Sequence, residues 1–179
     1  PGLSTGLRDL DTKINGLNKS DLLLIAARPA MGKTSFALNI GLNVAKKYKS
    51  TVAIFSLEMS REQLAMRLLS GESFVDSNKL MTGKLEEEEW TKLAMASAAL
   101  SQTDIRVDDN PAITVAEMNA KLRRVEDLGL VIIDYLQLMT GSGYGKTSEN
   151  RVQVVGELSR SLKTMAKELN VPVICLSQL

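Results

Sequence analysis

At 179 residues, with 44% hydrophobic and 24% charged side chains, the chain has an ordinary globular composition and enough length for one buried core. A formal net charge of +1 argues against a strongly basic protein that coats nucleic acid, though not against a motor that grips it through a few loops. Histidine is absent, so any general base must be a carboxylate, a lysine, a tyrosine or the single cysteine.

The first informative element is an apolar strand over residues 22–26. It runs into Ala27-Arg28-Pro29-Ala30-Met31-Gly32-Lys33-Thr34 and then into an amphipathic helix over 35–46. Strand, loop and helix in that order, closing on Gly-Lys-Thr, is a phosphate-binding loop. Backbone N–H groups at the helix start and one lysine cradle phosphate charge with little reorganisation. Arg28, Pro29, Ala30, Met31, Gly32, Lys33, Thr34 and Ser35 are therefore the expected nucleotide-binding residues. Ala27 stands where the general motif has glycine, which removes access to left-handed backbone at that point. Along the helix Phe36, Ile40 and Val44, with Ala37 and Gly41 beside them, predict an apolar stripe against a sheet.

A second strand is expected over 52–57. It delivers Glu58 to the same rim as Lys33, which makes Glu58 the candidate for activating an attacking water. Ser60 with Gln63, and later Thr114 with Glu117, have capping-box spacing. The acidic run Glu86-Glu87-Glu88-Glu89 sits early in a helix that continues through Trp90, Leu93 and Leu100, and reads as a solvated face favoured by the helix dipole.

Further strands are expected over 105–107, 130–134 and 171–177. The runs are short and rich in valine, isoleucine and leucine, the pattern of strands buried on both faces of a parallel sheet. Leu130-Val131-Ile132-Ile133 brings Asp134 to the edge where open α/β sheets bind ligands, and Asp134 with Thr34 can hold Mg²⁺. The next residue is Tyr135, where many such ATPases have a glutamate, so the water-activating carboxylate must come from elsewhere. Residues 140–150, with three glycines and Lys146, predict a flexible loop. In the last helix Val154, Leu158, Leu162, Met165 and Leu169 form the inward stripe. The final strand places Gln178 at the rim, where an amide can meet a γ-phosphate or the attacking water.

Cys175 lies inside the last apolar run and reads as a buried structural thiol, in keeping with a reducing cytoplasm. No apolar run is long enough to span a bilayer, so no membrane partner is expected. The abrupt Pro1-Gly2 start and Ser177-Gln178-Leu179 end predict a piece of a longer polypeptide.

Taken together, these residues resemble the C-terminal motor domain of bacterial replicative DNA helicases of the DnaB type, within the RecA-like ATPases. The resemblance covers the whole chain. It includes Ser4-Thr5-Gly6 with Leu10-Asp11, and Ala26-Ala27-Arg28-Pro29 through Gly32-Lys33-Thr34, where alanine at 27 is usual. It continues in Phe55-Ser56-Leu57-Glu58-Met59, Ile133-Asp134-Tyr135-Leu136-Gln137, Glu157-Leu158-Ser159-Arg160-Ser161-Leu162-Lys163, and Val171-Pro172-Val173 to Ser177-Gln178-Leu179.

The resemblance implies an α/β RecA-like P-loop NTPase fold across 1–179, a mostly parallel sheet with helices on both faces. It implies a sheet in which the strand ending at Gln178 lies between the strands serving Lys33 and Asp134. ATP and Mg²⁺ are the implied cofactors, with Lys33 on the β- and γ-phosphates, Thr34 and Asp134 on the metal, Glu58 activating water and Gln178 sensing the γ-phosphate. A homohexameric ring moving on single-stranded DNA is implied, with a primase and a helicase loader as partners; Arg123, Arg124, Lys146 and Arg151 are then the candidate contacts to DNA phosphates, which position a strand without reading its sequence. The family's arginine finger and a DNA-gripping loop lie beyond the segment matching Leu179. A finger supplied in trans is worth roughly 10³ to 10⁵ in rate, so the chain alone is expected to hydrolyse nucleotide poorly. Two rival readings share the phosphate loop: a RecA-type recombinase, and a module that binds nucleotide only to regulate assembly.

Overall fold

A computed structural model describes residues 2–27, 32–134 and 148–178. In chain order the elements are α1 (Arg8–Ile14), β1 (Leu22–Ala27), α2 (Lys33–Tyr48), β2 (Thr51–Ser56), α3 (Arg61–Ser73), α4 (Ser77–Thr82) and α5 (Glu87–Ser101). β3 (Asp104–Asp108), α6 (Val115–Leu122), β4 (Leu128–Asp134), α7 (Ser148–Leu169) and β5 (Val173–Gln178) follow. The five strands form one parallel sheet in the order β1-β5-β4-β2-β3. The strand ending at Gln178 thus lies between β1 and β4, as the resemblance implies.

Strand alternation sends residues to two cores, one on each face of the sheet. On one face Val52, Ile54, Leu130, Ile132, Ile174 and Leu176 pack with Ile40 and Val44 of α2 and Leu64 of α3. On the other, Phe55, Val131, Ile133, Val173 and Cys175 pack with Met118 and Leu122 of α6 and Leu162 and Met165 of α7. Cys175 is fully buried, and burial pushes its thiol up to about 12, so it is an inert core residue.

Full burial holds for β2, for residues 173–176 of β5 and for the apolar run of β4, but not for the edges. Leu24 of β1 is 46% exposed, and β3 is only partly covered. An apolar run does not disclose whether its strand has a neighbour on each side. The stripe on α2 also needs correcting: Ile40 and Val44 are fully buried, whereas Phe36 is 36% exposed. Phe36 belongs to the first turn of α2 and is not among the residues packed in the core on that face of the sheet.

The helix starts follow the sequence with one difference. Ser60 and Gln63 form the reciprocal capping box of α3. Thr114 caps α6 by accepting from the Glu117 N–H, but the Glu117 carboxylate takes the Thr114 hydroxyl rather than the backbone, so the box is half made. The loop expected over 140–150 ends earlier, because Ser148, Glu149 and Asn150 form the first turn of α7; the rest of it lies outside the described residues. At the amino end the Asp11 carboxylate accepts from the Ser4 hydroxyl and from the Thr5 N–H and hydroxyl. This network folds the Ser4-Thr5-Gly6 run over α2, where Tyr48 accepts from the Ser4 N–H and Asn43 donates to the Thr5 carbonyl.

Candidate nucleotide and metal site

Because all five strands are parallel, Ala27, Ser56, Asp108, Asp134 and Gln178 end on one rim. α2 begins at that rim. Its N-cap, Gly32, has φ of 70°, a left-handed conformation for which glycine carries no side-chain penalty. Gly32 also offers no side-chain cap, so the first-turn N–H groups of α2 face the rim without one. Serine and threonine cap α3 and α6 instead. An uncapped helix start at a sheet's carboxyl edge suits an anion.

Lys33 and Thr34 are the first residues of α2, and both are buried. On β4, Leu130, Ile132 and Asp134 share the face covered by α2. This directs the Asp134 carboxylate under the helix start, where it is 2% exposed. The Thr34 hydroxyl donates to Asp134 Oδ2 at 3.3 Å. Asp134 Oδ1 is buried with no hydrogen-bond partner among the described residues.

The ionisation of the pair follows from this packing. Burial raises Asp134 to about 6, against the pull of the Lys33 ammonium and the Thr34 hydrogen bond; Glu58 adds to the rise and Arg67 opposes it. Burial likewise lowers Lys33, which Asp134 and then Glu58 partly restore. Glu58 is exposed in the turn after β2, yet its charge is felt at both Lys33 and Asp134. β2 lies next to β4 with Ser56 in register with Asp134, which accounts for that proximity.

The donor set suits a hard divalent cation. An unsatisfied carboxylate oxygen beside a hydroxyl provides two oxygen ligands. Mg²⁺ characteristically takes few protein ligands and keeps water and phosphate oxygens for the rest. Among the described residues no group of three or more histidine, cysteine, aspartate or glutamate side chains could hold a metal.

The structure brings together Gly32, Lys33, Thr34, Ser35, Glu58 and Asp134. β5 carries Gln178 to the same rim, in register with Ala27, though its side chain lies outside the described ones. Arg28, Pro29, Ala30, Met31 and Lys146 lie outside the described residues. The sequence reading missed Arg67. From α3 it donates to the Ser35 hydroxyl at 3.4 Å, and its charge reaches Asp134. No motif marks it; only the turn of α3 that follows the Ser60 cap brings it there.

Of the candidates for DNA contact, Arg123 and Arg124 are described with their side chains, and they lie side by side at the end of α6. Arg123 caps the carboxyl end of α6 and pairs with Glu168 near the end of α7 at 3.1 Å, on the opposite rim from Asp134. Arg124 is exposed beside it. Arg151 is in the opening turns of α7, roughly 25 Å from Glu168 at the helical rise of 1.5 Å per residue.

Residues 2–179 match the family model described as the DnaB-like helicase C terminal domain. The chain belongs to this family. It is 54% identical over 181 residues to the replicative DNA helicase DnaB of Geobacillus stearothermophilus, covering 99% of this chain and 39% of the relative. It is 48% identical to that of Nostoc over 184 residues, covering 100% of this chain and 20% of the relative. The chain thus spans two fifths or less of these DnaB-like proteins.

Among solved structures, a DnaB-like replicative helicase, solved in a study of its interactions with primase, superposes with a TM-score of 0.87 at 34% identity, over 100% of this chain and 43% of the other. A second, the structure of an ATPase domain, gives 0.88 at 34% identity, over 100% of this chain and 64% of that one. The RadB recombinase gives 0.58 at 22% identity over 98% of this chain and 70% of that one, a likeness of fold alone. The family match and the superpositions agree on a DnaB-like ATPase domain with a RecA-like fold.

Proposed function

We propose that this chain is the ATP-hydrolysing motor of a replicative DNA helicase. The observation that carries the reading is the Thr34–Asp134 contact beneath the start of α2, with Lys33 and Glu58 coupled to it electrostatically. Arg28 to Ser35 cradle the triphosphate, with Lys33 placing its charge against the β- and γ-phosphates. Thr34 and Asp134 would hold Mg²⁺, which when bound neutralises phosphate charge. Glu58, exposed at the rim, takes the proton from the attacking water. Gln178, on the strand between β1 and β4, reports the γ-phosphate to neighbouring segments.

Family membership supports extending this to a cytoplasmic homohexamer that moves on single-stranded DNA during replication and works with a primase and a loader. Arg123, Arg124, Lys146 and Arg151 are its proposed DNA contacts, with 1–179 as a single ATPase domain. A nucleotide-regulated assembly module has no use for a water-activating carboxylate. Glu58→Gln in the full-length protein discriminates between the two. A motor keeps its nucleotide affinity and loses turnover by at least about a hundredfold. Turnover at the unmodified rate would rule out the assignment of Glu58.

A further inference from the structure

Glu58 is exposed, so its aim is set by the backbone on either side of it. That backbone is held by one hydroxyl. Ser56, the last residue of β2 and 1% exposed, donates from Oγ to the Met59 carbonyl at 2.8 Å and accepts from the Met59 N–H at 3.1 Å. Both polar groups of Met59 are thereby fixed to the strand end, and Glu58 sits at the apex of the closed turn. Its neighbours are anchored on opposite faces of the sheet: Leu57 is buried in the core under α6 and α7, and Met59 packs against the core under α2. The Ser60 capping box then fixes the start of α3.

We propose that Ser56 is a positioning residue for hydrolysis, acting through the turn that presents Glu58 to the attacking water. The proposal rests on the assignment of Glu58 given above. An alternative route for Ser56 would be through Asp134, its neighbour in register on β4. The hydroxyl has a single proton, however, and that proton is committed to the Met59 carbonyl, while Asp134 Oδ1 has no hydrogen-bond partner among the described residues. Ser56 therefore shapes the turn rather than the metal carboxylate.

The test uses the full-length assembled protein, measuring ATP turnover and, separately, the affinity for a fluorescent ATP analogue with Mg²⁺. Ser56→Ala is expected to lower kcat roughly tenfold or more, since small misplacements of a reacting group are costly, with analogue affinity changed by less than about twofold. Thr114→Ala, which removes the α6 cap away from the rim, serves as a control for general destabilisation and keeps kcat. Adding Ser56→Ala to Glu58→Gln should leave the residual rate unchanged, because a residue acting only through Glu58 has nothing left to position.

A further fall in the double variant, or a weakened analogue affinity in Ser56→Ala alone, would overturn the proposal. If Ser56→Ala fails to fold, Ser56→Thr and Ser56→Val differ only in hydroxyl against methyl. Threonine should turn over at least about fivefold faster than valine, and equal rates would overturn the proposal. An active Glu58→Gln removes the underlying assignment as well. An inactive Glu58→Gln beside a fully active Ser56→Ala removes the clamp alone.

Discussion

The Thr34 hydroxyl donates to Asp134 Oδ2 at 3.3 Å, joining the first turn of α2 to the end of β4 across 100 positions of sequence. The contact satisfies one carboxylate oxygen and leaves the other, Oδ1, buried with no hydrogen-bond partner among the described residues. A buried carboxylate oxygen without a partner is costly to maintain. A cation would relieve it, so the pair is expected to make nucleotide affinity dependent on Mg²⁺.

Asp134→Asn should therefore abolish most of the gain in ATP affinity that Mg²⁺ confers, leaving metal-free binding within a few fold. Thr34→Ala should do the same less completely, because the carboxylate remains. Isothermal titration with and without Mg²⁺ reads both. A Mg²⁺ gain in Asp134→Asn equal to the unmodified protein's would exclude Asp134 as a ligand.

A pH dependence follows from the same carboxylate. Burial raises Asp134 from its ordinary value of 3.8 to about 6. Between those values the folded protein holds a proton on Asp134 that the unfolded chain has released. Stability contributed through this group is therefore greatest below 3.8 and is lost as pH rises through about 6, opposite to an ordinary salt-bridged aspartate. Metal binding runs the other way, because the cation needs the ionised form and weakens as pH falls below about 6. Thermal melts of the metal-free protein between about pH 4.5 and 7.5 should show a component of that sign, absent in Asp134→Asn. A component of the opposite sign in the difference between the two proteins would contradict the burial argument.

The parts of this site that were legible in the sequence share one property: each is announced by the chain immediately around it. Gly32-Lys33-Thr34 stands between a strand and a helix, and Asp134 closes an apolar run. Ser60 and Gln63 carry their spacing on their face. What escaped was set by tertiary placement. Arg67 has no local signature, and its meeting with Ser35 depends on how α3 packs against α2. Leu24 belongs to a run as apolar as those of β4 and β5, yet it is half-exposed because β1 is an edge. Phe36 fits the helical stripe of Ile40 and Val44, yet it is 36% exposed while they are fully buried. Periodicity says which face is apolar, and only the strand order says what covers it.

Arg67 ties α3 to the proposed nucleotide site. It donates to Ser35 at 3.4 Å, and its charge favours the ionised form of Asp134. Replacing it with alanine should weaken nucleotide binding by roughly three- to tenfold, the effect shrinking as salt screens the lost charge. The same change should raise the Asp134 titration and shift the pH profile of Mg²⁺ binding upward. An unaltered profile would confine Arg67 to packing α3 against α2.

The two arginines beside α6 make unequal predictions about DNA. Arg123 pairs with Glu168 at 3.1 Å, and both side chains are substantially exposed, 65% and 45%. Exposed pairs of this kind contribute little, about 0–1 kcal/mol, so Arg123 can leave Glu168 for a phosphate at small cost. Arg124 has no such ion-pair competitor among the described residues. Arg124→Glu in the full-length protein should weaken single-stranded DNA binding and flatten its salt dependence by about one contact's worth. Arg123→Glu should weaken it too, and Glu168→Gln, by freeing Arg123, should leave it equal or tighter. Filter binding across a salt series distinguishes these cases. If neither arginine variant changes affinity or slope, Arg123 and Arg124 are not DNA contacts, and of the proposed set only Lys146 and Arg151 remain.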